Sequence, residues 1–114
     1  RRVPGFGHRI YKDEDPRARA IHEKALAAAV PMASFEKAYA IEAALTAVAG
    51  KKLPLNIDGA CAAAVLALSM PSDAAEALFV LGRVAGMGAH AIEEREQGGG
   101  YHPLEADDVT RYHE

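Results

Sequence analysis

Apolar positions recur every three to four residues through most of this chain, and the breaks between the runs are proline, glycine and acidic residues. The first run opens at Asp15-Pro16, an N-capping acid followed by a proline whose missing N–H costs nothing in a first helical turn. It carries Ile21, Ala25 and Ala28 on one side and must end before Pro31. In the second, Ser34 is the expected cap, Ala38, Ile41, Leu45 and Val48 fall at helical spacing, and Gly50 supplies the stop. Both are predicted to be amphipathic helices.

"KKLPLNID", residues 51–58, reads as a connector interrupted by Pro54, and it predicts a third helix from Gly59 to about Met70 with Asp58 as its cap. That helix has no charged residue, which predicts burial. A fourth helix is expected after Pro71, from Ser72-Asp73 to Gln97, where three glycines end it. Gly82, Gly86 and Gly88 lie inside it, and each costs roughly 1 kcal/mol against alanine. Such a cost points to close packing of another backbone or of a ligand. The tail from Tyr101 is polar, with one further turn expected around Asp107 to Tyr112. The sum is an all-α fold of about four main helices.

At 114 residues, 50% hydrophobic and 25% charged, the chain is expected to form one folded domain over residues 1–114. The net charge is −3 and basic residues are scattered among acids, so the footprint of a nucleic-acid binder is missing and any anionic partner is small. One cysteine, Cys61, allows neither a disulfide framework nor a cysteine zinc site, and no His/Asp/Glu set has metal-ligand spacing. A reducing compartment, the cytoplasm, and no metal are expected. The stretch from Gly59 to Pro71 is too short to span a bilayer, so no membrane partner is expected. The chain opens on Arg1-Arg2 without an initiator methionine and is expected to be a fragment of something longer.

Two places combine a reactive side chain with a constrained backbone. In "PGFGHR" the glycines at 5 and 7 flank Phe6, which fits either a turn that happens to contain a histidine or a loop whose N–H groups meet a ligand while His8 donates to a carbonyl oxygen. Arg9, Lys12 and Arg17 add positive charge, and Arg17 occupies a first helical turn, where the helix dipole disfavours it, a hint of an anionic ligand. Asp58 is either an N-cap or a carboxylate at the lip of an apolar helix, where desolvation would raise its pKa and suit it to remove a proton from carbon. Arg83 is the only charge between Glu76 and Glu93, and a buried arginine there needs an anion. His22 and His113 are expected in solvent, His90 as a packing histidine, and Tyr101-His102-Pro103 as a folded-over tail.

"PGFGHRIYKDEDPRA", followed by "LNIDG" and then "LFVLGRVAG", resembles the small domain of the citrate synthase superfamily over almost the whole chain. The resemblance implies an all-helical small domain that closes over a larger helical domain of the same enzyme, in a homodimer. It implies Claisen chemistry between acetyl-CoA and oxaloacetate through citryl-CoA to citrate, or the reverse. Carried over by position, His8 matches the histidine that polarises the oxaloacetate carbonyl and Asp58 the base that takes the methyl proton of acetyl-CoA. Arg17 and Arg83 match the arginines that grip the dicarboxylate. The backbone of Gly5, Phe6, Gly7, His8 and Arg9, with Lys12, falls where coenzyme A is held.

The family also needs a catalytic histidine from its large domain, and nothing before His8 supplies one, so the isolated chain is expected to be inactive. Citrate synthases commonly follow their Asn-Val-Asp with bulkier residues and carry a late Arg-Pro. Here the aspartate is followed by "GACAAAV" and the tail reads "GGGYHPL", features closer to citryl-CoA lyases and to the citryl-CoA-cleaving end of ATP-citrate lyase. Two alternatives stand beside this reading: a 2-methylcitrate synthase-type enzyme using propionyl-CoA, and a non-catalytic helical module that binds CoA.

Overall fold

Proline, glycine and asparagine set three helix ends in the computed structural model, which describes residues 3–98. The four helices are α1 (Pro16–Ala27), α2 (Ala33–Ala49), α3 (Ile57–Ala67) and α4 (Ala74–Glu96). Among the described residues the only extended pairing is a single antiparallel bridge between Phe6 and Leu55. Contacts along the chain divide it into two units, residues 1–82 and 83–114.

In the first unit α3 packs against both α1 and α2. The core is Ala18 and Ala25 of α1, Phe35 and Ala38 of α2, Leu55 of the connector and Ala60 and Ala63 of α3. Alanine at these crossings lets helix axes approach closely, and fully buried Phe35 supplies the bulk, worth roughly 1.5–3 kcal/mol relative to exposure. The apolar face predicted for α2 is only partly used: Ala38 is buried, whereas Ile41 is exposed and Val48 is 89% exposed. Edge-on contacts of His22 with Phe35 and Tyr39 place that histidine half-buried between α1 and α2, not in solvent.

Two caps differ from expectation. Met32 precedes α2 without a side-chain bond, and the Ser34 hydroxyl instead donates to the Ala63 carbonyl at 2.7 Å, tying α2 to α3. Asn56, not Asp58, caps α3: its Oδ1 accepts from the N–H groups of Asp58 and Gly59. Asparagine caps as well as aspartate, so the helix begins two residues earlier and Asp58 enters the first turn, where a carboxylate is favoured by the helix dipole. Asp15 caps α1 and Gly50, at φ +65°, closes α2, as predicted.

No residue of α4 is buried. Gly82 and Gly88 face open space, so the close packing expected of these glycines is not made by described residues; Gly86 lies beside the Arg83 guanidinium. By length and composition α4 is apolar enough to cross a membrane, with a mean hydropathy of 1.2 over its most apolar window. His90 is exposed on α4, its Nδ1 3.4 Å from Glu93 Oε2, so it is not a packing residue. His113, Tyr101-His102-Pro103 and the turn expected at 107–112 lie outside the described residues.

Candidate active site

The glycine loop is held in place by the connector. Gly5 and Gly7 adopt φ of +87° and +79°, a region that disfavours side chains, and this turns their backbones toward residues 54–56. Gly7 N–H donates to the Pro54 carbonyl at 2.7 Å, Asn56 N–H to the Gly5 carbonyl at 3.0 Å, and Asn56 Nδ2 to the Gly7 carbonyl at 3.0 Å. One asparagine therefore caps α3 and fastens the loop that carries His8.

His8 is half-buried and its ring orientation is set on three sides. Nδ1 accepts from the N–H groups of Ile10 and Tyr11, both at 3.1 Å, which puts the proton of the neutral ring on Nε2. Tyr11 stacks on the imidazole at 4.8 Å between ring centroids, and the Arg17 guanidinium lies over the same tyrosine at 5.5 Å. Nε2 is 3.1 Å from Arg17 Nη2. With Nδ1 occupied as acceptor, both atoms across this gap are donors, an arrangement completed by an oxygen that accepts from each.

Arg17 already has an internal anion, contrary to the expectation that its place in the first turn of α1 signals a ligand by itself. Its Nε donates to Asp15 Oδ1 at 3.0 Å and its Nη2 to Asp15 Oδ2 at 2.8 Å. Asp15 is fully buried while the Arg17 side chain is 45% exposed. Burial pushes the Asp15 carboxyl up, but the hydrogen bonds and charge of Arg17 and the Ile57 N–H outweigh it, holding the group below the usual carboxylate range. The hydrogen bond to Asp15 raises Arg17 in turn, with smaller electrostatic contributions from Asp15, Tyr11 and Asp58. Nη1 of Arg17 has no partner among the described residues and remains available.

Asp58 is exposed in the first turn of α3, so the desolvation expected around it does not come from the described residues. Its charge acts on Arg17 and, after burial, on the Cys61 thiol, whose pKa is raised by both. Gly59 follows Asp58, and a Cβ there would meet the Gly5 carbonyl oxygen at 2.5 Å, so the loop and the start of α3 are in backbone contact. His8, Arg17 and Asp58 thus belong to one corner of the first unit. Arg83 belongs to the second unit, where it is exposed and not buried as its apolar neighbours suggested.

Beside His8 opens a groove of about 960 Å³, with Phe6 and Leu53 among its apolar walls and Arg9, Lys12, Lys51 and Lys52 as its cations. Lys12 Nζ also donates to the His8 carbonyl at 3.3 Å. Lys51 and Lys52, Tyr11, Asn56 and the anchoring part of Asp15 were not legible as site residues: the lysines read as a connector, and Asp15 only as a cap. The signal that could have found Asp15 is the arginine two residues after it, at a helix start that disfavours cations.

Comparison with known proteins places the chain beside one enzyme family. The family described as "Citrate synthase, C-terminal domain" matches residues 1–104, which takes in all of α4. The chain is 36% identical over 98 residues to a citrate synthase of Haloferax volcanii, covering 83% of this chain and 25% of that protein. It is 34% identical over 96 residues to a 2-methylcitrate synthase of Shewanella oneidensis, covering 82% and 25%. Its structure resembles that of citryl-CoA lyase from Hydrogenobacter thermophilus, with a TM-score of 0.73, 30% identity, and coverage of 92% of this chain and 46% of that one. The chain spans about a quarter of the length of the curated relatives it matches.

Proposed function

Because this chain belongs to the citrate synthase family, an enzyme family whose C-terminal domain it matches, we propose that it supplies part of an active site for CoA-dependent carbon–carbon chemistry. The reaction is condensation of acetyl-CoA with oxaloacetate through citryl-CoA, or cleavage of citryl-CoA into the same two compounds. The observation that carries this reading is the pair of donors at His8 Nε2 and Arg17 Nη2, 3.1 Å apart, on a loop bonded to the start of the helix that bears Asp58.

In the forward direction the Asp58 carboxylate removes a proton from the acetyl methyl group, and the resulting enolate attacks the keto carbon of oxaloacetate. His8 donates its Nε2 proton in a hydrogen bond to the keto oxygen as negative charge develops there, and Arg17 Nη1 meets a carboxylate. The family resemblance alone assigns a second carboxylate to Arg83, which belongs to the other unit. Water then cleaves the citryl thioester in a synthase. A lyase runs the carbon–carbon step backwards: the citryl hydroxyl proton passes to His8 Nε2 as the bond breaks, and Asp58, starting as the carboxylic acid, gives its proton to the enolate. The groove cations Arg9, Lys12, Lys51 and Lys52 suit the phosphoryl groups of an acyl-CoA, and Phe6 with the loop backbone suits its apolar and flat parts. The remaining groups of the site, a further histidine among them, are assigned to parts of the enzyme outside this stretch.

Two similarities bear on substrate and direction. The 2-methylcitrate synthase relative favours propionyl-CoA as a second acyl donor, and the citryl-CoA lyase structure favours cleavage. The protein that carries this chain is given acetyl-CoA or propionyl-CoA with oxaloacetate, read by free CoA thiol, and citryl-CoA alone, read by oxaloacetate formed. Asp58→Asn is expected to abolish whichever activity appears while acyl-CoA binding persists. Unchanged turnover in that variant would overturn the assignment of the base.

A further inference from the structure

An N-cap needs one side-chain oxygen, and Asp15 provides it by accepting from the Arg17 N–H at 3.0 Å. Capping does not explain its other bonds. Oδ1 also accepts from Arg17 Nε, and Oδ2 accepts from both Arg17 Nη2 and, at 3.1 Å, the Ile57 N–H. This carboxylate is fully buried beneath a half-exposed guanidinium. Bidentate pairing of this kind sets the plane of a guanidinium as well as its position. The Nη2 so placed is the one facing His8 Nε2, and Ile57 immediately precedes Asp58.

We propose that Asp15 is a positioning residue: its buried carboxylate orients Arg17 against His8 and anchors the first turn of α3, so that the carboxylate donor, the carbonyl donor and Asp58 share one frame. This rests on the functional reading in which those three residues act on a keto acid and an acyl-CoA. Serine would cap α1 as well as aspartate but cannot span to Nε, Nη2 and the Ile57 N–H together. Asparagine keeps an acceptor for the cap but turns two donors toward groups that are themselves donors. Arg9, Lys12, Lys51 and Lys52 make no bond to Asp15, so the effect falls on the keto acid and spares the acyl-CoA.

The test compares Asp15→Ser and Asp15→Asn with the wild type in the full enzyme that carries this chain. Steady-state kinetics give the KM of each substrate, and NMR follows the Arg17 Nε–H and the His8 ring nitrogens. Loss of the frame is expected to lower kcat/KM for oxaloacetate by about 10²-fold, the effect of a misplacement on the order of 1 Å. The KM for acyl-CoA is expected to stay within about two-fold, as for independent sites. The Arg17 Nε–H signal should lose the shift of a charge-assisted bond in both variants. A folded Asp15→Ser enzyme with wild-type oxaloacetate kinetics and an unmoved Arg17 signal overturns the proposal, as does a KM that rises equally for both substrates. If the wild type acts on neither substrate pair, the functional reading fails, and the Arg17 and His8 signals still decide whether Asp15 sets their arrangement.

Discussion

Gly5 and Gly59, fifty-four positions apart, meet backbone to backbone: a Cβ on Gly59 would lie 2.5 Å from the Gly5 carbonyl oxygen and 2.6 Å from a Leu55 methyl. The leucine can turn aside, whereas the carbonyl belongs to the loop that donates to and accepts from residues 54–56. Gly59→Ala is therefore expected to push the His8 loop outward and to destabilise the fold by roughly 1–3 kcal/mol, the usual cost of overpacking. Chemical denaturation measures the loss, and amide shifts of residues 5–8 should move with it. A variant as stable as the wild type, with unmoved shifts, would show the contact to be slack.

Acid is expected to act on Asp15. Its carboxyl lies below the ordinary value of 3.8 in the fold, so its contribution is fully present above that value and is lost as pH falls through the lower folded value. Thermal stability should drop as pH is lowered below about 4, and Asp15→Asn should flatten this part of the profile. The same substitution at neutral pH removes a charge partner from Arg17 and is expected to cost about 3 kcal/mol, the lower end for breaking a buried pair, because Arg17 keeps access to water.

Lys51→Ala with Lys52→Ala tests the groove. Removing two cations from its rim is expected to weaken acyl-CoA binding about ten-fold, through charge-assisted contacts to phosphoryl groups. Added salt should narrow the difference between variant and wild type. Calorimetry with acyl-CoA at two ionic strengths provides the check, and equal affinities at low salt would remove the lysines from the site.

Gly82 and Gly88 have open space where a Cβ would stand. Replacing either by alanine in this chain should stabilise α4 by roughly 1 kcal/mol, the difference in helix propensity. Circular dichroism on heating would register it. A loss of stability instead would mean that these positions are closely packed in solution.

Cys61 is buried, and desolvation with the nearby Asp58 charge raises its thiol pKa. It is expected to react with a thiol reagent only as the fold opens, so its rate should rise with denaturant together with unfolding. Fast labelling of the folded protein would contradict this.

The order of helices was legible in the sequence because their ends are written in residues with fixed backbone consequences. Pro16 starts α1 after Asp15, and Gly50 closes α2 with a positive φ. The third cap was misassigned because asparagine and aspartate two residues apart cap equally well, and the choice falls to Asn56, whose Nδ2 also reaches the Gly7 carbonyl. Arg83 and His90 were expected in the interior from apolar neighbours, yet both are exposed on a helix none of whose residues is buried.

By itself the sequence determined which groups are present: a histidine in a glycine loop, an arginine at a helix start, an aspartate at the next helix, and a resemblance strong enough to imply a family. Only the tertiary structure decided how they are joined. The ring proton of His8 is placed by two local N–H donors, but its donor partner, the buried carboxylate behind that partner, and the bond from that carboxylate to Ile57 link three separate segments. Local propensity reaches a few residues along the chain, whereas a carboxylate with four accepted bonds requires the chain to return from forty-two residues away. That return is enforced by the packing of α1 on α3 and by the glycine contact beneath it.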